Sequence, residues 1–262
     1  MSKSLIKAIH VLDCFFEKPV MTINELTEIA GMPKTTVFRL ANGLEEAGLL
    51  VKERKSSHDV TYRMSLKFLK YGKHVSDQLE YSKIALPHMR KLNEEIDELV
   101  HLSIVEDDHV VYVETVNSTK PVRLVVKVGE RSPLYAGSGP KLFLASLHDY
   151  EVEEYFKRAK LEKLTPNTFT TREKLMEEIA EIRKRGYSIS YSERFHATIG
   201  MSYPIFNYEG KVVAALGVSV PDVYFSEERK QIIIEKLGET VEKIWRELGY
   251  TGKGTDFPTK NM

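Results

Sequence analysis

An α+β architecture in two parts is predicted by three observations along this 262-residue chain. Near the N-terminus, three short runs of apolar residues recur at helical spacing, and two strand-like runs follow them. Beyond residue 100, segments with a two-residue period alternate with segments of 3.6-residue period. Glycine and proline punctuate nearly every change of period.

The first run, residues 4–17, carries Leu5, Ile6, Ile9, Leu12 and Phe16 at helical spacing, and Pro19 ends it. Thr22-Ile23-Asn24-Glu25 then fits a capping box, with Thr22 as the cap and Glu25 reaching back to it. Leu26, Ile29 and Ala30 face a core, and Gly31 closes this short helix. Pro33 opens a third helix, which runs to about Ala47 and stops at Gly48. Residues 49–55 and 60–64 read as two strands joined by Ser56-Ser57-His58-Asp59. Three helices and a hairpin in this order outline a winged helix-turn-helix over residues 1–65.

Residues 66–82 read as a linker helix, and a second part is expected over 83–250. It starts with a helix over 83–98. Strands are expected at 100–106, 109–116 and 121–128, then a turn at 137–140 and helices at 141–148, 150–160 and 171–185. Strands return at 187–192, 199–206 and 211–220, and a last helix covers 226–248. The predicted result is an antiparallel sheet flanked by helices. Residues 251–262 are expected to form a disordered tail.

Composition bounds the function. Hydrophobic residues at 42% and charged residues at 29% describe an ordinary folded chain. Lys+Arg and Asp+Glu are equal at 38 each, so any basic surface must be local. A single cysteine, Cys14, excludes a disulfide framework and a cysteine-rich zinc site, and it is expected in the core. The opening residues read as an amphipathic helix rather than a signal peptide, and no apolar run is long enough to span a membrane, so a cytoplasmic location is expected.

On the third helix, Val37, Leu40, Ala41, Leu44 and Ala47 fall on one side, and Thr35, Arg39, Asn42 and Glu46 on the other. The second face suits a major groove. Arg39 can pair with guanine O6 and N7, Thr35 and Thr36 can meet phosphate or a thymine methyl group, and Lys34 suits a phosphate. Lys52, Arg54 and Lys55 are expected near the hairpin tip, against the DNA backbone or minor groove. An ordinary solvated helix face is the alternative for Arg39. The order of cap, short helix, tight turn, second helix and hairpin favours double-stranded DNA.

The block from Leu26 to Leu40, with Leu44 and Gly48-Leu49, resembles the helix-turn-helix of the IclR family of transcriptional regulators. Pro133-Leu134-Tyr135-Ala136, Pro140 to Ala145, Thr170-Thr171, Gly186-Tyr187, Glu193, Pro204-Ile205-Phe206 and Val212 to Pro221 resemble its C-terminal domain in the same order. The resemblance covers nearly the whole chain. It implies a winged helix, a linker helix and a GAF-like effector domain, assembled as a homodimer or homotetramer. It also implies regulation of a catabolic operon, as repressor or activator, by a small organic acid. Positions matching the family's ligand contacts are Ser138, Gly139, Ser190, Glu193, Gly200, Gly217 and Ser219.

The chain departs from the usual pattern at several of these points. Pro140 precedes Lys141 where many members have Gly-Lys, and Ser190 stands where many are acidic. His196-Ala197 replaces a Pro-Gly pair, and Gly200 stands where some carry cysteine. These changes imply an effector other than glyoxylate. Gly137-Ser138-Gly139-Pro140-Lys141 lacks the length of a nucleotide phosphate loop, and no nucleophile elbow occurs. His101, His109 and His196 show no metal spacing. No catalytic residue, cofactor or metal is therefore expected; the alternative is an enzyme acting on a small acid, controlled by the winged helix.

Overall fold

The computed structural model describes residues 3–54, 60–77, 80–252 and 257. The chain divides into two compact units, residues 1–78 and 79–262.

The first unit contains helices α1 (Lys3–Asp13), α2 (Ile23–Ala30), α3 (Lys34–Glu46) and α4 (Lys67–Asp77), with strands β1 (Val20–Thr22), β2 (Leu50–Arg54) and β3 (Val60–Met64). The strands form an antiparallel sheet in the order β1-β3-β2. Thr22 caps α2 as its sequence predicts. The Thr22 hydroxyl accepts from the Glu25 amide, while the Glu25 carboxylate accepts from the Thr22 amide at 2.7 Å. Gly31 adopts the left-handed conformation (φ 59°) that closes the helix. The core joins Val11, Leu12, Met21, Leu26, Val37, Leu40, Leu44 and Tyr62. One expectation changes here. On α1 and the single 3-10 turn after it, the inward residues are Val11, Leu12, Cys14 and Phe15, whereas Leu5, Ile6, Ile9 and Phe16 are exposed.

The second unit is a six-stranded antiparallel sheet of order β6-β5-β4-β9-β8-β7. Its strands are β4 (Leu99–Glu106), β5 (His109–Val116), β6 (Arg131–Pro133), β7 (Ser188–Tyr191), β8 (Thr198–Phe206) and β9 (Val212–Pro221). Its helices are α5 (Glu80–Ile96), α6 (Ser138–Ser146), α7 (Asp149–Arg158), α8 (Arg172–Arg185) and α9 (Glu227–Glu247). Strand side chains alternate between faces. Val100, Leu102, Met201, Leu216 and Val218 share one core with Met89 and Leu92 of α5 and Leu237, Val241 and Ile244 of α9. Toward α6 the same strands present His101, Ser103, Gly200, Ser202, Ala215, Gly217 and Ser219. A separate core joins α6, α7 and α8 through Leu142, Val152, Leu175 and Ile179.

Residues 121–128 do not form the expected strand. Pairing with the outer edge of β5 starts only at Gly129: His109, Val110 and Val111 pair with β6, and the Tyr112 backbone bonds to Gly129 and Glu130. The segment crosses the sheet end as an irregular strap, with Val122, Val125 and Val128 exposed. Strand β6 is too short for a periodicity to reveal. Helix α6 begins three residues before the expected 141, so Ser138 and Gly139 lie in its first turn. Of the expected tail, Phe257 is buried beside Phe206, at 6.1 Å between ring centroids; residues 253–256 and 258–262 lie outside the described residues.

Candidate functional site

In the first unit, α3 turns Val37, Leu40, Ala41 and Leu44 into the core and leaves Lys34, Thr35, Phe38 and Arg39 exposed. Thr36 is half-buried. Asn42 is also half-buried, and its Oδ1 is buried without a hydrogen-bond partner. Lys52 lies within β2 opposite Tyr62 rather than at a hairpin tip, with its ammonium 5.9 Å from the Phe38 ring centre and 5.7 Å from that of Tyr62. Arg54 ends the strand and is exposed, and Lys55 lies outside the described residues. Arg39, Thr35 and Lys34 therefore present one donor-rich helix surface, flanked by the aromatic-backed Lys52.

In the second unit, the small-residue face of the sheet floors a cavity of about 230 Å³. Two rows of side chains cross it in register. Ser190, Gly200 and Ser219 lie abreast on β7, β8 and β9; Ser202, Gly217 and His101 lie abreast on β8, β9 and β4. Absent side chains let α6 approach. A Cβ at Gly200 would lie 2.7 Å from Ser138 Oγ, and one at Gly139 would lie 3.3 Å from Ser103 Oγ. Ser138 Oγ is hydrogen-bonded to Ser202 Oγ at 2.8 Å. The first turn of α6, with N–H groups that no preceding turn can accept, thus opens at the cavity.

The walls carry two ion pairs. Lys141 is wholly buried, and its Nζ donates to Glu193 at 2.6 Å, to the Ile189 carbonyl at 2.9 Å and to Glu178 at 3.2 Å. Glu193 Oε2 also accepts from the Gly137 amide at 3.3 Å. Burial raises the Glu193 pKa, while Lys141 opposes that rise. Arg194, which also lines the cavity, donates to Glu130 at 2.8 Å, to the Arg131 carbonyl at 2.7 Å and to the Tyr112 hydroxyl at 3.0 Å. Burial also raises the Tyr112 pKa. The His101 ring packs edge-on to Tyr112 at 5.1 Å, and burial, assisted by Arg194, pushes its pKa down to about 4. Leu124, Val126 and Phe195 supply the apolar wall.

Ser138, Ser190, Glu193, Gly200 and Ser219 line this cavity together. Gly139 and Gly217 do not; they sit behind it, where they let α6 and the His101 ring pack close. The residues that sequence reasoning missed are His101, Tyr112, Arg194 and the strap residues Leu124 and Val126. Their partners are distant in sequence, and the strap mimics a strand. His101 and His196 both reach the cavity, and His109 starts β5. Among the described residues, no three His, Cys, Asp or Glu side chains are grouped to hold a metal ion.

A helix-turn-helix unit followed by a second unit with a sheet-floored cavity is the make-up of a DNA-binding regulator. The family models agree: the IclR helix-turn-helix domain matches residues 4–54, and the bacterial transcriptional regulator IclR C-terminal domain matches residues 73–246. The chain belongs to the IclR family. It is 37% identical over 250 residues to the HTH-type transcriptional regulator KipR of Bacillus subtilis, covering 95% of this chain and 98% of that one. It is 28% identical to the regulator KdgR of Escherichia coli, covering 94% of this chain and 93% of KdgR. The crystal structure of Thermotoga maritima IclR superposes with a TM-score of 0.81 at 29% identity, over 95% of this chain and all of that one. An IclR homologue from Microbacterium hydrocarbonoxydans, complexed with 4-hydroxybenzoate, shares the fold with a TM-score of 0.77 at 24% identity, over 94% of this chain and 99% of that one. The family and these relatives are transcriptional regulators, not enzymes. Among the described residues, no helix is long and apolar enough to cross a membrane.

Proposed function

We propose that this regulator binds a small organic acid in the cavity of its second unit, and that the acid controls operator binding by α3 at a catabolic operon in the cytoplasm. The balance of donors over acceptors in the cavity carries this reading. Glu193 is occupied by Lys141 and the Gly137 amide, so it offers little to a cation. The Tyr112 hydroxyl accepts from Arg194, and its own proton has no acceptor among the described residues. With the Ser138 amide at the start of α6 and the Ser219 hydroxyl, it forms a donor set for a carboxylate or other acceptor-rich group. Leu124, Val126 and Phe195 suit an apolar flank. The complex of a family member with 4-hydroxybenzoate is compatible with such a ligand.

The test is a thermal-shift screen against small carboxylic and sugar acids. A specific binder at a hundred times its Kd adds about 2.7 kcal/mol to folded-state stability. A hit lost on Ser219→Ala supports this cavity, and a hit indifferent to Ser138→Ala and Ser219→Ala rejects it.

On DNA, Arg39 is assigned base readout, and Lys34, Thr35, Thr36 and Lys52 backbone contact, with Asn42 at the groove-facing edge and Arg54 and Lys55 at the wing. A homodimer, alone or paired as a tetramer, would set two copies of α3 one helical turn apart on a near-palindromic operator. The exposed Leu5, Ile6 and Ile9 of α1 support self-association. The effector acts by binding one arrangement of the assembly more tightly than another.

A further inference from the structure

We infer that His101 holds the Ser219 hydroxyl as a hydrogen-bond donor into the cavity, so that the effector must place an acceptor oxygen at Ser219. This deepens the effector-binding proposal and rests on it. His101 Nε2 lies 3.1 Å from Ser219 Oγ. Two atomic arrangements satisfy that contact. In one, Nε2–H donates to Oγ, and the serine proton is free to point elsewhere. In the other, Ser219 donates to a bare Nε2, and Ser219 offers the cavity only a lone pair.

The far side of the ring distinguishes them. His101 Nδ1 is buried and has no hydrogen-bond partner. If Nε2 were bare, the neutral ring would carry its proton on Nδ1, as a buried N–H with nothing to accept it. An orphaned buried N–H is rarer than an under-used acceptor. The tautomer that leaves Nδ1 as a lone pair puts the proton on Nε2. Ser219 Oγ then accepts from His101. Among the described residues its own proton finds no acceptor, and Ser219 borders the cavity.

The sheet is built to permit this contact. His101 pairs in register with Gly217, not with Ser219, so its ring must cross Gly217 to reach a residue two places further along β9. A Cβ on Gly217 would lie 2.3 Å from the ring's Cε1 and 2.9 Å from Nε2. Gly217 thereby serves the ligand site from behind. His101 is a positioning residue: it acts on the ligand through Ser219.

Long-range proton–nitrogen NMR correlation on the full chain, labelled at histidine, tests this without a ligand. Nε2 should carry the proton and Nδ1 should be bare, unchanged from pH 8 to pH 5. A proton on Nδ1 overturns the inference. The second arm measures Kd for pyruvate and 4-hydroxybenzoate on folded variants. For an acid that the wild-type chain binds, His101→Gln, which keeps a donor near the Nε2 position, should stay within about threefold, whereas His101→Leu and Ser219→Ala should each lose at least tenfold. Adding Ser219→Ala to His101→Leu should cost little more. Unchanged affinity in His101→Leu overturns the inference and leaves effector binding standing. No binding of either acid to the wild-type chain, with Nε2 protonated, counts against the organic-acid reading while upholding the tautomer.

Discussion

His101 shows how one buried side chain couples stability to pH. Its ordinary pKa of 6.5 falls to about 4 in the folded chain, because burial disfavours the imidazolium. Between those values the unfolded chain binds a proton that the native chain does not. Stability from this group is therefore full above about pH 6.5 and declines as pH falls toward 4. The full loss is on the order of 3 kcal/mol, reached once pH drops through the folded pKa. Denaturant titrations at pH 7 and pH 4.5 should show that decline shrinking in His101→Gln; an unchanged decline would assign it to the carboxylates. Arg39 sits on the opposite side of legibility. Its exposure follows from the helix period alone, and its expected effect follows from the proposed base readout. Arg39→Ala should cost about 1–3 kcal/mol on the cognate operator and relax one base preference. An equal loss on cognate and random DNA, measured by fluorescence anisotropy, would make it a phosphate contact. The roles of His101, Tyr112 and Arg194 were hidden from the sequence, since Arg194 meets Tyr112 across 82 residues and His101 meets Ser219 across 118.

At the scale of elements, local chemistry predicted what local chemistry decides. The Thr22 capping box, the Gly31 stop and the Gly186 stop of α8 all form as spacing and residue type require. The strand reading of 121–128 failed because its alternating apolar residues match a strand, while the chain pairs with β5 only from Gly129 onward. The loop between β7 and β8 shows a different conflict. Ser192 and Thr198 close its base, with the Ser192 amide donating to the Thr198 carbonyl at 2.7 Å. Inside it, Ala197 holds φ at 54°, a conformation natural to glycine. Ala197→Gly should relieve about 1–2 kcal/mol of backbone strain and return part of it as chain entropy, for a net gain of roughly 0.5–1 kcal/mol. Thermal unfolding checks this; a destabilised variant would mean that the alanine methyl group makes a contact worth more than the strain.

At the scale of the whole molecule, charge and apolar surface point in different directions. Equal numbers of acidic and basic residues give the chain little long-range pull on DNA. Affinity must come from local contacts, which the proposed dimer would multiply by placing two copies on the operator. The helical spacing of Leu5, Ile6 and Ile9 was legible in the sequence but their exposure was not, because periodicity shows that a helix has an apolar side but not what covers it. Leu5→Glu with Ile9→Glu should lower the mass measured by light scattering and weaken operator binding about tenfold or more. A variant that keeps the wild-type mass would place self-association elsewhere.

The two-faced sheet has a consequence for how such a regulator can change over time. Along β9, Ala214, Leu216, Val218 and Val220 belong to the helix-packed core, whereas Gly217 and Ser219 serve the cavity side. Odd and even positions thus face different surroundings. On the proposed function, substitution at Ser219 would retune which metabolite is sensed, while Gly217 stays fixed by the His101 ring and the even positions keep the domain folded. A lineage could drift from one inducer to another by single steps along a strand, without passing through an unfolded intermediate.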